Sequence, residues 1–213
     1  TNSVVGWRGG MMAELEQLLG RPLSRVVCLN HHAELPYRSL FRALDGQTTG
    51  PFSFSGPIGK LIDGAVHQLP VVQFEPLTGT ELPQLPAETE RGLSSDLRLL
   101  VQCARCVVSG DGGPVQHRRH GRLNMARWHT AQSRLLRVYM SQTHPSGELV
   151  ALAVYITAVY VPTVMAIRYR PDLVEAPRHL FDELQRQRRH LSGANLATVQ
   201  ESVARNAMMA HPE

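Results

Sequence analysis

Residues 149–167, LVALAVYITAVYVPTVMAI, run nineteen positions without a formal charge. Nothing else in the chain limits its fold so tightly. A stretch of this length either crosses a bilayer or forms the buried centre of a helical protein. Tyr155, Thr157, Tyr160 and Thr163 put hydroxyls into it, and Pro162 lies in its interior. Amphipathic patterns on both sides offer it a protein core instead of lipid. The expectation is a central buried helix, kinked or broken at Pro162, with no membrane partner.

The patterns around it are mostly helical. MMAELEQLL predicts a helix over 11–19, stopped by Gly20, with a turn at Arg21-Pro22. Val26 to Leu29 read as a short buried strand, and Pro36 suits the first turn of a helix whose apolar face is Tyr37, Leu40, Phe41 and Leu44. Residues 46–92, rich in Gly and Pro, read as an irregular connection with one short helix near 57–66. From Ser94 helices are predicted over 94–108, over 125–141 with Asn124 as cap, from Ser146, over 177–189 and over 196–209. The fold class is therefore mainly α, divided as a small α/β beginning (1–45), an irregular connection (46–92) and a helical remainder (93–213).

Charge points to a partner. Of the 22 basic residues only Lys60 is lysine. Between Asp111 and Glu148 there is no carboxylate, while Arg118, Arg119, Arg122, Arg127, Arg134 and Arg137 all fall there, among His117, His120, His129 and His144. Such a block is the footprint of a polyanion; a solvated helix face paired with acids from elsewhere is the plainer alternative. Trp128 stands in the middle of it. Its ring either stacks on an unpaired base or anchors a helix in the core with Leu135 and Tyr139.

Three cysteines make no disulfide framework and favour a reducing compartment. Cys28 and His31 form a Cys-x-x-His, with Cys103-x-x-Cys106 or His117-x-x-His120 as the available complement. Structural zinc needs four ligands in a closed set. Cys103 and Cys106 lie among Leu99, Leu100 and Val107, and the step from Cys106 to His117 is short for a finger, so no zinc is expected. No nucleophile elbow, phosphate loop or His-Glu-x-x-His occurs, and nothing around Asp45 and Asp63 makes them a catalytic carboxylate pair.

Read in order, TNSVVGWRGGMMAELEQLLG, RVVCLNHHAEL and MARWHTAQSRLLRVY resemble the catalytic region of hAT-type eukaryotic cut-and-paste DNA transposases and their transposon-derived relatives. The resemblance implies a partial RNase H-like α/β core at 1–45 followed by an all-helical insertion domain. It implies a nuclear protein that binds DNA, with a homo-oligomer left open. His31 of the Cys28-x-x-His31 signature would be the catalytic candidate, with His32 in its place if the register differs by one. Arg118, Arg119, Arg122, Arg127, Trp128, Arg134 and Arg137 would be the DNA-binding residues, with Thr130 in the hydroxyl position of an Arg-Trp-x-Ser/Thr segment. The family holds Mg or Mn on three carboxylates. Here the first Asp is absent, the second is expected just before Thr1, and Glu175, Glu183 and Glu213 all fit the insertion instead. The chain reads as a fragment with no cofactor of its own and no strand cleavage. The rival expectations are a non-catalytic helical interaction module and a small metal-binding regulator using Cys28 and His31.

Overall fold

The computed structural model of the protein describes residues 10–23, 28–50, 53–123, 128–170 and 176–210. Helix α1 is Met11–Leu19, ended by Gly20 at φ 62°, a left-handed cap that glycine takes without penalty. Helix α2 is Leu29–Asp45. Two short strands, β1 (Thr48–Gly50) and β2 (Ser53–Phe54), pair antiparallel with Thr48 opposite Phe54. Helix α3 (Pro57–Asp63), a 3-10 turn (Val66–Gln68) and the short α4 (Ala87–Arg91) complete the connection. Then come α5 (Ser95–Ser109), α6 (Trp128–Met140), α7 (Gly147–Val154), a π-helical segment (Tyr155–Tyr160), α8 (Val161–Tyr169), α9 (Ala176–His190) and α10 (Gly193–Ala210).

The protein is mainly α, as its patterns predict, and the two-stranded ladder is the only sheet among the described residues. Of the small α/β beginning, the described residues of 1–45 show helices and no strand. Val26 and Val27 of the expected strand lie outside the described residues, and Leu29 opens a helix. Cys28 is extended, and the His32 amide donates to its carbonyl at 2.9 Å, which starts α2 seven residues before Pro36. Pro36 is thus interior and not in the first turn. Without an N–H it leaves one helical bond unmade, and it is buried there against the core.

The long apolar stretch is the middle of the molecule. Gly147–Tyr169 is continuous helix, long and apolar enough to cross a membrane, and most of its apolar window is buried inside the fold. Helix α2 packs on all three of its parts and on α10, α9 covers the π segment, and α5 and α6 pair beside it. The helix is not broken at Pro162, and a widened turn lies just ahead of it. The Val161 amide donates five residues back to the Ile156 carbonyl, so the ring of Pro162 enters a turn already loosened ahead of it. Thr157 Oγ1 donates to the Ala153 carbonyl at 2.9 Å within the same turn.

Two caps hold the ends of the helices nearest the site. Ser94 Oγ accepts from the Leu97 amide at the start of α5, and Ser146 Oγ from the Leu149 amide at the start of α7. Asp45, at the end of α2, accepts from the Ile58 and Gly59 amides at 2.7 Å each and so fixes the start of α3. Gly56 is obligatory beside it, because an added Cβ would overlap the Asp45 carbonyl oxygen.

Candidate functional site

The beginnings of α2 and α6 meet. Trp128 is 3% exposed, with its ring 5.7 Å from Tyr37 at 70° and 6.1 Å from Phe41. This edge-to-face contact draws the first turn of α6 onto α2 and sets His129 beside Glu34. Glu34 is 6% exposed. Its Oε2 is 3.5 Å from His31 Nδ1 and its Oε1 is 3.8 Å from His129 Nδ1, so one carboxylate lies between two imidazoles. Burial pushes the Glu34 carboxyl up, but hydrogen bonding and charge from His129 and His31 outweigh it and hold the group below its ordinary range. Neighbouring His32 is pushed down by burial and then by His31.

These groups wall a cleft of about 390 Å³, lined by Cys28, His31, Glu34, His129, Tyr160 and Arg168, with Ser94 at its edge. The π segment supplies Tyr160 and α8 supplies Arg168. A carboxylate with its Nδ1 partners fixes imidazole orientation, which is the arrangement that lets the outer nitrogen of an exposed histidine exchange protons. His31 is the more exposed of the two. Sequence reasoning singled out Cys28 and His31 but missed Glu34 and His129 as members of the site. Glu34 follows His31 at the helical i+3 spacing, which was the available signal for it. Nothing local joins either residue to His129.

Among the described residues no group of three or more His, Cys, Asp or Glu side chains is arranged to hold a metal ion. Cys103 and Cys106 are buried in α5, and burial, followed by Cys106, pushes the Cys103 thiol up to about 12. A thiol held protonated in this way is a packing group.

The basic block divides into two kinds of arginine. Arg118, Arg119 and Arg122 are exposed on the segment leading to α6, with His117 exposed next to them. Arg118 and Arg119 share a groove of about 420 Å³ with Ser95 and Asp96 at the start of α5 and Gln102 in its middle. No carboxylate among the described residues lies within ion-pairing distance of these three arginines. Arg134 and Arg137, by contrast, brace backbone carbonyls, and the burial of Arg137 corrects the expectation that it meets phosphate. Arg134 donates from Nε and Nη2 to the Gly121 carbonyl and from Nη1 to the carbonyls of Ile62 and Gly64. Arg137 is 2% exposed and donates to the carbonyls of Leu69, Val115 and Gln116 at 2.6 to 3.2 Å. Trp128 is likewise a core anchor and presents no face to a base. Arg127 lies outside the described residues. His120, between the two groups, is half-buried with Nδ1 3.2 Å from Ser133 Oγ. Burial, then Arg134 and Arg137, pushes it down to about 4.

Comparison of the chain with protein-family models, curated proteins and solved structures returns no match.

Proposed function

We propose that the protein binds DNA as a non-cleaving, helical derivative of a hAT-type transposase. The observation that carries this reading is the exposed trio Arg118, Arg119 and Arg122, without ion-pair partners among the described residues, on a stretch of chain free of carboxylates. Cations left unpaired in this way release counterions when they take up phosphate, which is the main source of sequence-independent affinity. The lineage rests on the order of the sequence motifs. It gains support from the cleft, where Cys28 and His31 of one motif share a wall with His129 of the other. Within this proposal residues 1–45 correspond to part of an RNase H-like core and 93–213 to a helical insertion. The Mg or Mn chemistry and the cutting belong to the intact parent, and the protein acts in the nucleus.

The test is a salt titration of duplex DNA binding by fluorescence anisotropy. Each of Arg118→Ala, Arg119→Ala and Arg122→Ala should reduce the slope of log affinity against log salt by about one unit. Absence of binding, or a slope indifferent to all three changes, would falsify the proposal.

One observation favours a second reading, a helical interaction module. Met11, Leu15, Leu18 and Leu19 of α1 are exposed at i, i+4, i+7 and i+8, an apolar stripe on one helix face.

A further inference from the structure

The stretch that carries the exposed arginines is held in place by the bracing ones. Arg137 Nη2 donates to the Gln116 carbonyl at 2.9 Å, and Arg134 Nε and Nη2 donate to the Gly121 carbonyl. The Arg118 amide closes a turn onto the Val115 carbonyl at 3.0 Å, and His120 Nδ1 meets Ser133 Oγ at 3.2 Å. The backbone is thus fixed ahead of any ligand while Arg118 and Arg119 stay exposed, which lowers the ordering cost of binding. Sharing their groove is a face of α5 with Ser95, Leu99 and Gln102 at i, i+4 and i+7, and Asp96 next to Ser95. A carboxylate is out of place on a surface for phosphate alone. Asp96 has no cation within ion-pairing distance among the described residues, although Arg118 and Arg119 line the same groove. Gly121 comes so close that a Cβ there would lie 2.8 Å from Asp96 Oδ1, and glycine leaves that space open.

An acceptor beside two unpaired cations calls for a ligand with N–H donors at one end and anionic oxygens at the other. A nucleotide has both. Of the bases only guanine presents two adjacent N–H donors on one edge, and a carboxylate accepts from both at once. Adenine and cytosine offer one amino group beside a bare ring nitrogen, and the single N–H of thymine lies between two carbonyls. We propose that this groove binds an unpaired guanine nucleotide, with Asp96 on the N1–H and N2–H of the base and Arg118 and Arg119 on its phosphate. Leu99 gives the flat base an apolar floor, and the Gln102 carboxamide can donate to its O6. The volume of about 420 Å³ falls within the range of small-ligand sites. In a duplex the same guanine edge is already paired with cytosine, so a duplex meets the arginines alone. The inference rests on the DNA-binding reading above and gives the same arginine surface a base preference.

The experiment uses the full chain and a fluorescein-labelled oligothymidine strand with one central guanine, against the same strand with adenine there. The guanine strand should bind about 5- to 150-fold more tightly, the discrimination of one bidentate base contact. Asp96→Asn should abolish that preference, because a carboxamide replaces one acceptor by a donor. The variant should also bind xanthosine 5′-monophosphate better than guanosine 5′-monophosphate, since xanthine carries a carbonyl where guanine carries its N2 amine. A merely structural Asp96 would not exchange one base for the other. Thermal melts of the variant should match the parent. Arg118→Ala and Arg119→Ala should weaken the guanine and adenine strands alike. The proposal is overturned if the parent binds both strands equally, if Asp96→Asn keeps the guanine preference, or if Asp96→Asn weakens both strands together. Guanosine 5′-monophosphate binding as tightly as the strand would assign the groove to the free nucleotide, and binding by the strand alone would assign it to DNA. The two ideas fail separately. If the duplex salt slope is indifferent to all three arginine changes while Asp96→Asn still abolishes the guanine preference, the duplex reading fails and the groove stands. Reduced duplex slopes with no guanine preference remove the groove alone.

Discussion

Glu183 on α9 faces the π segment at 3% exposure and accepts a hydrogen bond from Gln187 Nε2 at 3.1 Å. The cation nearest in sequence, Arg186, donates instead to Thr163 Oγ1. Facing it from the π segment are Tyr155 and Tyr160, phenols that burial drives well above their ordinary range. Burial pushes the Glu183 carboxyl from 4.5 up to about 8, outweighing the Gln187 hydrogen bond and the Arg186 charge that pull it down. The sign follows from that rise. The neutral form belongs to the folded state, so its contribution is complete below about pH 4.5 and is lost as pH rises through about 8. Each unit in that window costs about 1.4 kcal/mol, which gives about 3 kcal/mol by pH 7 and about 5 kcal/mol above pH 8. Against a total stability of about 5–15 kcal/mol this is large. Glu183→Gln keeps the shape and removes the proton. Its stability, measured by urea unfolding at pH 4.5, 7 and 9, should pull ahead of the parent by about those amounts. Parallel pH profiles for the two proteins would refute the reasoning.

Three further outcomes follow from the packing. Arg137→Met should lower stability by about 3 kcal/mol or more, because three loop carbonyls lose their donor, and Arg137→Lys should not restore it, since an ammonium lacks the planar fork. A folded, stable Arg137→Met protein with a reduced DNA salt slope would return Arg137 to the phosphate-binding set. Trp128→Ala should cost about 3–5 kcal/mol of folding stability by denaturant titration, and a near-parental melt with lost DNA affinity would contradict its role as an anchor. Gly56→Ala should destabilise by more than about 2 kcal/mol through the Asp45 turn; unchanged thermal melting would show that the turn relaxes freely.

Where side chains act on their own helix, the sequence was readable. Ser94 and Gly110 bracket α5, Ser146 opens α7, and Gly20 closes α1, each by a mechanism confined to a few residues. The start of α2 was not readable, because no Ser, Thr, Asp or Asn precedes Leu29 and Pro36 suggested a later first turn. The basic block misled for a related reason. Arg118 and Arg137 are alike in sequence, and only the carbonyls of Leu69, Val115 and Gln116, brought in by distant segments, make one of them internal. Glu34 and His129 became partners through the Tyr37–Trp128 contact, a tertiary event with no local signature.

The widened turn at Tyr155–Tyr160 also sets a phase. It holds one residue more than an α turn, so a one-residue deletion there would let the rod revert to uniform winding while everything from Val161 onward kept its facing. The same deletion in Gly147–Val154, where the winding is already uniform, would rotate all that follows by about 100°. Val164 and Arg168 would then leave the cleft wall, and Tyr169 would turn with them. Composition along this rod can drift among apolar residues at little cost, and its one spare residue lies in the widened turn.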